Sequence, residues 1–367
     1  IIFDGFKKKK KKGKKKEEDI YRPKGVYLWS KDGLKKDMEQ TGQDSYNTVG
    51  FEVDNSIIRF FGVYDGHGEK GKIASEFLAN DLTQFIISNK SQLKKWNTKE
   101  IVTKKFTDHY KKIQKQMLKK REIYEFSGSC AISVFIIDKI LFVLNVGDSR
   151  AVIGSKGFDT KFAIQMSTDH KPSNQDEHER IIKMGGEVSN FKDNQYGPYR
   201  VYKNNGDSVP GLAVSRTFGD LVGHECGVVE TPQISFKNID SQDEFIIIGS
   251  DGVFDVMNSV EIVGYVFERI DEVGKDRITE EIVEECRKRW ELINKYKNET
   301  MVEKIMNDSS INMSTKAMIQ SSINQNNNNN QPGTNNNSNG NNNTNLLSQY
   351  TNNTIDDITC VIYFFKN

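Results

Sequence analysis

The chain has no run of 18 apolar residues and opens on no signal-peptide pattern, so nothing in it argues for a membrane-spanning helix. A soluble, intracellular protein is the expectation, cytoplasmic, with nuclear or peripheral membrane association as further locations. Cysteine is sparse: Cys130, Cys226, Cys286 and Cys360 form no CxxC pair and no Cys/His cluster of zinc-ligand spacing, so they are expected to be reduced and packed. Net charge is also nearly absent, at +1, which argues against a folded basic face. No nucleic-acid reading module is recognisable, and no specific nucleic acid is expected as a partner.

The near-zero charge conceals one local extreme. Lys7 to Lys12 and Lys14 to Lys16 repel one another and are followed at once by Glu17, Glu18 and Asp19, so residues 1–22 are expected to form a disordered tail. Such a tail suits contact with an acidic membrane. A second polar stretch, about 299–354, has a centre from Asn324 to Asn345 dominated by Asn with Gly, Ser and Thr, and it offers little apolar area to offset the entropy of ordering. Between these stretches, 36% hydrophobic residues are enough for a large core. Residues 23–367 are therefore expected to form a single domain, carrying that polar stretch as an insertion.

Periodicity places a buried strand from Ile57 that ends in a glycine-flanked turn, and a helix over 72–88 with Ile73, Phe77, Leu82 and Phe85 on one face. A lysine-rich helix follows over 98–121. Short β-branched runs at 129–137, 140–147, 150–154 and 161–167 indicate strands. Residues 174–184 read as helix and 185–210 as a loop or small lobe. Phe245 to Gly249 is a strong strand, helices are expected at 259–270 and 278–297, and a last strand at 358–365.

Four segments share one design, an acid beside glycine or a turn at a strand end: Tyr64-Asp65-Gly66-His67-Gly68, Gly147-Asp148-Ser149-Arg150, Ser250-Asp251-Gly252 and Asp356-Asp357-Ile358-Thr359. One Asp-Gly pair is weak, since such pairs are common in plain turns. Recurrence carries more weight. If these strand ends converge, like charges crowd together and call for cations, and oxygen-rich sites suit Mg²⁺ or Mn²⁺. Paired ions of that kind serve hydrolysis of a phosphate ester.

The segments VYDGHG, SGSCA, NVGDSRAVI, STDHKP, GLAVSRTFGD, IIGSDGVFDVM and DDIT, in this order, resemble the ordered motifs of the type 2C metal-dependent protein serine/threonine phosphatases. The resemblance covers the chain outside the lysine tail and the Asn-rich insertion. It implies an α+β fold, a central sandwich of two antiparallel β-sheets flanked by helices on both sides, with a two-metal site at one end. By matching motifs, Asp65 would bridge both Mg²⁺ or Mn²⁺ ions and the Gly66 carbonyl would bind one of them. Asp251 and Asp356 would hold the other, Asp44 and Asp255 would act through water, and Asp148 with Asp251 would serve a weaker third ion. His67 would protonate the leaving serine or threonine oxygen, a role its near-neutral pKa suits.

The implied substrate is a phosphorylated protein, and the implied state a monomer. Ser129 and Cys130 invite a covalent mechanism, but the family uses water, and the strand around Cys130 fits core packing. Arg150, Arg216 and Asp220 are expected to fix loops beneath the metals. Residues 171–210 would be the family's flap, where Tyr196, Tyr199 and Tyr202 either touch a phosphopeptide or pack into a small lobe. One departure concerns the phosphate grip: many members place an arginine five residues before the first-motif aspartate, where this chain has Glu39, and Gln43 stands where many have glutamate. Gly33-Leu34-Lys35-Lys36 offers Lys35 or Lys36 as a substitute point charge. Two alternatives stand beside the protein phosphatase: an enzyme for small phosphate esters, and a pseudophosphatase that binds phosphoproteins without turnover.

Overall fold

The computed structural model describes residues 25–33, 42–157, 160–190, 198–204, 208–295, 313 and 355–365. Two five-stranded sheets make up the centre. One runs edge to edge through Val26–Lys31, Ile358–Phe364, Asp243–Gly249, Arg150–Lys156 and Lys161–Gln165. The other runs through Gln233–Asn238, Ile140–Val146, Ala131–Ile137, Ser56–Tyr64 and Ser45–Val53. Every pairing within them is antiparallel.

The central strands are buried on both faces, which explains their unbroken apolar runs. Between the sheets lie Phe61, Val63, Ile132, Val134, Val143, Ile246, Ile248 and Val361. On the outer face of the second sheet, the Gly71–Ser88 and Lys99–Leu118 helices bury Leu78, Leu82, Ile86, Phe106 and Tyr110 against Phe60, Phe135 and Phe142. On the outer face of the first, the Ser259–Val273 and Ile278–Lys295 helices bury Ile262, Val266, Ile282 and Cys286 against Ile247 and Ile362. The α+β sandwich with helices on both sides is the expected one.

The helix after the first motif packs through a face slightly rotated from the expected one. Ile73 is exposed, while the small residues Ala74, Ser75 and Ala79 sit inside with Leu78, Leu82 and Ile86. The helix lies close to the Ser45–Val53 strand, and short side chains permit that approach. This strand was not evident from hydropathy because polar side chains face the helix and are satisfied there. Asn47 donates to the Ala79 carbonyl and to Thr83 Oγ1, and the Ser45 and Ser75 hydroxyls share a 2.9 Å bond.

Residues within 171–210 include the Gln175–Lys183 helix and two strands, Gly186–Ser189 and Arg200–Lys203, which join Pro210–Leu212 in a three-stranded sheet. Ile181, Val201, Cys226 and Val228 form its own small core. Tyr202 is buried there and Tyr199 is exposed. Tyr196, the lysine tail, Lys35, Lys36, Glu39 and the Asn-rich centre lie outside the described residues. Among the described residues, no helix is long and apolar enough to cross a membrane.

Candidate active site

Strand register brings the acids together. Ser45 pairs with Tyr64, so Asp44 and Asp65 lie at adjacent strand ends. In the other sheet Gly249 pairs with both Arg150 and Cys360, which gathers the segments carrying Asp148, Asp251 and Asp356 at the same end of that sheet. Carboxylate oxygens of Asp65, Asp148 and Asp251 lie within 4.8 Å of one another.

Glycine permits the close approach at two of these turns. A Cβ on Gly66 would stand 2.4 Å from the Gly71 carbonyl oxygen and 2.7 Å from that of Gln43. At Gly147, φ is +110° and a Cβ would meet Cys130 Sγ at 2.2 Å.

The group is electrostatically unbalanced as it stands. Burial, then the charges of Asp251, Asp44, Asp356 and Asp148, holds the Asp65 carboxyl well above the ordinary range. Burial and then Asp148 raise Asp251, against the pull of Lys171. Asp44 is pushed up to about 7 by burial and then by Asp357, although the Thr359 and Ser250 hydroxyls moderate the effect. Neither Asp44 oxygen has a well-formed hydrogen bond, a costly condition for a buried carboxylate.

Asp356 and Asp255 are exposed over much of their residue surface, yet each is near enough to Asp251 to feel its charge. Withdrawal from water there, then Asp251, raises Asp356 well above its usual value and Asp255 to about 7. Crowded carboxylates with orphaned oxygens fit divalent cations, hard ions that take oxygen ligands and keep water.

His67 sits beside this group, its ring partly exposed. Nε2 is 2.5 Å from Asp220 Oδ2 and 3.5 Å from Thr217 Oγ1. Burial lowers its pKa, but the charge and hydrogen bond of Asp220 outweigh that and the net shift is upward. Asp220 adopts a left-handed φ of 39°, and its Oδ1 is buried without a partner. It therefore contacts the histidine directly, which is more than the loop-fixing role expected of it.

The two arginines act further out. Arg216 makes a forked pair with Glu177, which also accepts from Arg180 and Ser215. Arg150 grips Asp169 through Nε and Nη2 and lies over the Phe254 ring. The Cys130 thiol is buried, pushed up by burial and by Asp148, and donates to Asp148 Oδ1 at 3.3 Å.

Three residues had no role assigned from sequence. Lys171, in the STDHKP segment, pairs with Asp148 Oδ2. The neighbouring His170 accepts from the Gly147 N–H at 3.1 Å, which positions the Asp148 turn; burial, then Arg216, lowers it to about 4, so it is neutral. Asp357 accepts from the backbone N–H groups of Gly33 at 2.5 Å, Gly42 at 3.1 Å and Gln43 at 2.5 Å. The doubled acid of Asp356-Asp357 was the available signal for the last.

A family model described as protein phosphatase 2C matches residues 26–291. "Probable protein phosphatase 2C 14" of Arabidopsis thaliana is 35% identical over 239 residues, covering 65% of this chain and 47% of that protein. "Probable protein phosphatase 2C 61" of the same plant is 35% identical over 236 residues, covering 62% and 69%. The chain thus spans about half the length of the first and about two thirds of the second. Among solved structures, serine-threonine phosphatase 2C from Toxoplasma gondii superposes with a TM-score of 0.63 at 18% identity, covering 93% of this chain and 94% of that one. A sex determining protein of C. elegans gives 0.53 at 17% identity, covering 95% and 66%. At these identities the likeness is one of fold.

Proposed function

The chain belongs to the protein phosphatase 2C family, and from that membership we propose that it hydrolyses phosphoserine and phosphothreonine in proteins at a centre holding two Mg²⁺ or Mn²⁺ ions. The single observation that carries this reading is the convergence of Asp65, Asp148 and Asp251 within 4.8 Å, with the paired-strand neighbours Asp44 and Asp356 bearing raised pKa values beside them. Asp65, Asp251 and Asp356, with the Gly66 carbonyl, would hold two ions. Asp44 and Asp255 would orient water around them, and Asp148 would serve a weaker third. When bound, the ions supply an acidified water and neutralise phosphoryl charge.

The protein's own contribution to the leaving group is His67. Asp220 holds Nε2, so Nδ1 is the nitrogen left to deliver a proton to the departing serine or threonine oxygen. Asp220 stabilises the protonated ring and keeps that proton available near neutrality. Orientation is fixed from behind, because Asp220 itself is wedged against Gly128.

Lys35 or Lys36 is proposed to meet the phosphoryl oxygens. What supports this is the anchoring of both flanks of their segment, Gly33 on one side and Gly42 with Gln43 on the other, by the one Asp357 carboxylate next to Asp356. The three-stranded lobe with exposed Tyr199 is proposed to border a protein substrate. The decisive test is phosphate release from a phosphothreonine peptide by Asp65→Asn and Asp251→Asn. Loss of most turnover with unchanged circular dichroism is expected, and wild-type turnover in both would overturn the assignment.

A further inference from the structure

Asp148 differs from every other acid in the site. Both of its oxygens are already engaged, Oδ1 by the Cys130 thiol at 3.3 Å and Oδ2 by the Lys171 ammonium. No ion pair holds Asp44, Asp65, Asp251, Asp255 or Asp356 among the described residues. We propose that Lys171 is a resident cation that competes with a divalent ion for Asp148, so that the third ion binds only when the lysine releases the carboxylate. This rests on the metal-centre reading above.

The geometry supports competition rather than mere proximity. Asp148 shares a 4.8 Å cluster with Asp65 and Asp251, and the ammonium on its Oδ2 is near enough to Asp251 to feel that charge too, so it lies beside the position a cation joining these acids would take. The carboxylates acting on Lys171 are Asp148, then Asp251 and Asp255, and the first two are the acids that the third ion would use. Burial works against the ammonium, and these charges more than offset it, raising its pKa. Asp148 in turn is held below its ordinary range, burial being outweighed by Lys171, while its neighbours are raised. One of the six acids is therefore already paired with a cation of the protein.

Lys171 is also free to leave. Its side chain is 35% exposed and its four-carbon stem is flexible, so the ammonium has a route to solvent. Cys130 has none, being buried and packed against Gly147, and it keeps Asp148 oriented in either state. Weakness of the third ion then follows from displacement of a bound ammonium, not from a shortage of ligands.

The test is titration with Mn²⁺ alone, followed by calorimetry and by electron paramagnetic resonance of the free ion. Wild type is expected to bind two ions more tightly than a third. Lys171→Met should tighten the third by about tenfold or more and leave the first two in place. Lys171→Arg, which keeps the charge, should leave the third ion weak, and the Lys171→Met/Asp148→Asn pair should lose the gain. Two tight ions with an unmoved or weaker third in Lys171→Met would overturn this inference alone. Absence of any bound ion in wild type would overturn the metal-centre reading and this inference with it.

Discussion

Replacing Gly128 by alanine probes the His67–Asp220 contact without substituting either residue. An added Cβ would stand 2.0 Å from Asp220 Oδ2 and 2.2 Å from the Phe218 carbonyl oxygen, both far inside van der Waals contact. The Phe218 side is backbone, so the short ladder with Ser129 must part there, and the Asp220 carboxylate must move as well. Overpacking of this kind costs about 1 to 3 kcal/mol of stability. The 2.5 Å bond to His67 Nε2 is lost with the displacement.

If His67 is the general acid, the variant forfeits about 10²- to 10⁴-fold in rate on substrates whose leaving group must be protonated. Phosphothreonine peptide and p-nitrophenyl phosphate, which expels an anion stable without a proton, separate the cases. Expected is a large fall in kcat on the peptide and a small one on the aryl ester, with the same pattern in Asp220→Asn. Equal losses on both substrates in Asp220→Asn would refute the proton-delivery argument.

Glu177 should act as a stability switch at low pH. Burial raises its pKa, but Arg216, Arg180 and Ser215 more than reverse that, taking it from 4.5 to about 2. A carboxylate depressed in the fold stabilises above its unfolded pKa, and that contribution disappears as pH falls from about 4.5 towards about 2. Its size is on the order of 3 kcal/mol, and Glu177→Gln should flatten the acid limb of a urea-melt series over that window. The chelated protein should behave oppositely near neutrality. Asp44 and Asp255, raised to about 7, bind protons in the fold that the unfolded chain has released, so stability should fall as pH rises from about 4 to about 7. Mn²⁺ should abolish that slope in thermal melts. Asp357→Ala removes the acceptor for three backbone N–H groups, and at about 1 to 3 kcal/mol for each group left unsatisfied should lower the melting midpoint and raise KM for the peptide.

Asp65 and Asp251 could be read from sequence because each sits where a strand stops, marked by the change from β-branched runs to Asp-Gly, while the roles of Asp44, Asp148, Asp255 and Asp356 came through the motif resemblance. Antiparallel register gathers the acids within each sheet, and the packing of the two sheets on each other brings Asp65 to Asp251. Within the two five-stranded sheets, three strands, Val26–Lys31, Ser45–Val53 and Gln233–Asn238, escaped notice. Of these, Ser45–Val53 hides its alternation behind Asn47 and Ser45, buried polar residues satisfied by a helix. Lys171 was invisible as a partner of Asp148 because the two lie on different loops, whose approach is fixed by bonds such as those of His170 to Gly147 and of Arg150 to Asp169. Asp220 could not be assigned to His67 for the same reason: 153 residues separate them, and they become neighbours because Gly128 pairs with His67 on one side and with Gly219 on the other.

Phosphate release from a phosphothreonine peptide, first in excess chelator and then through a Mn²⁺ titration, tests the central claim most directly. The acid cluster predicts no turnover in chelator and recovery as the ion is restored, with Asp65→Asn failing to recover. Full turnover in chelator, with no response to Mn²⁺, would contradict hydrolysis at a metal centre built by these aspartates.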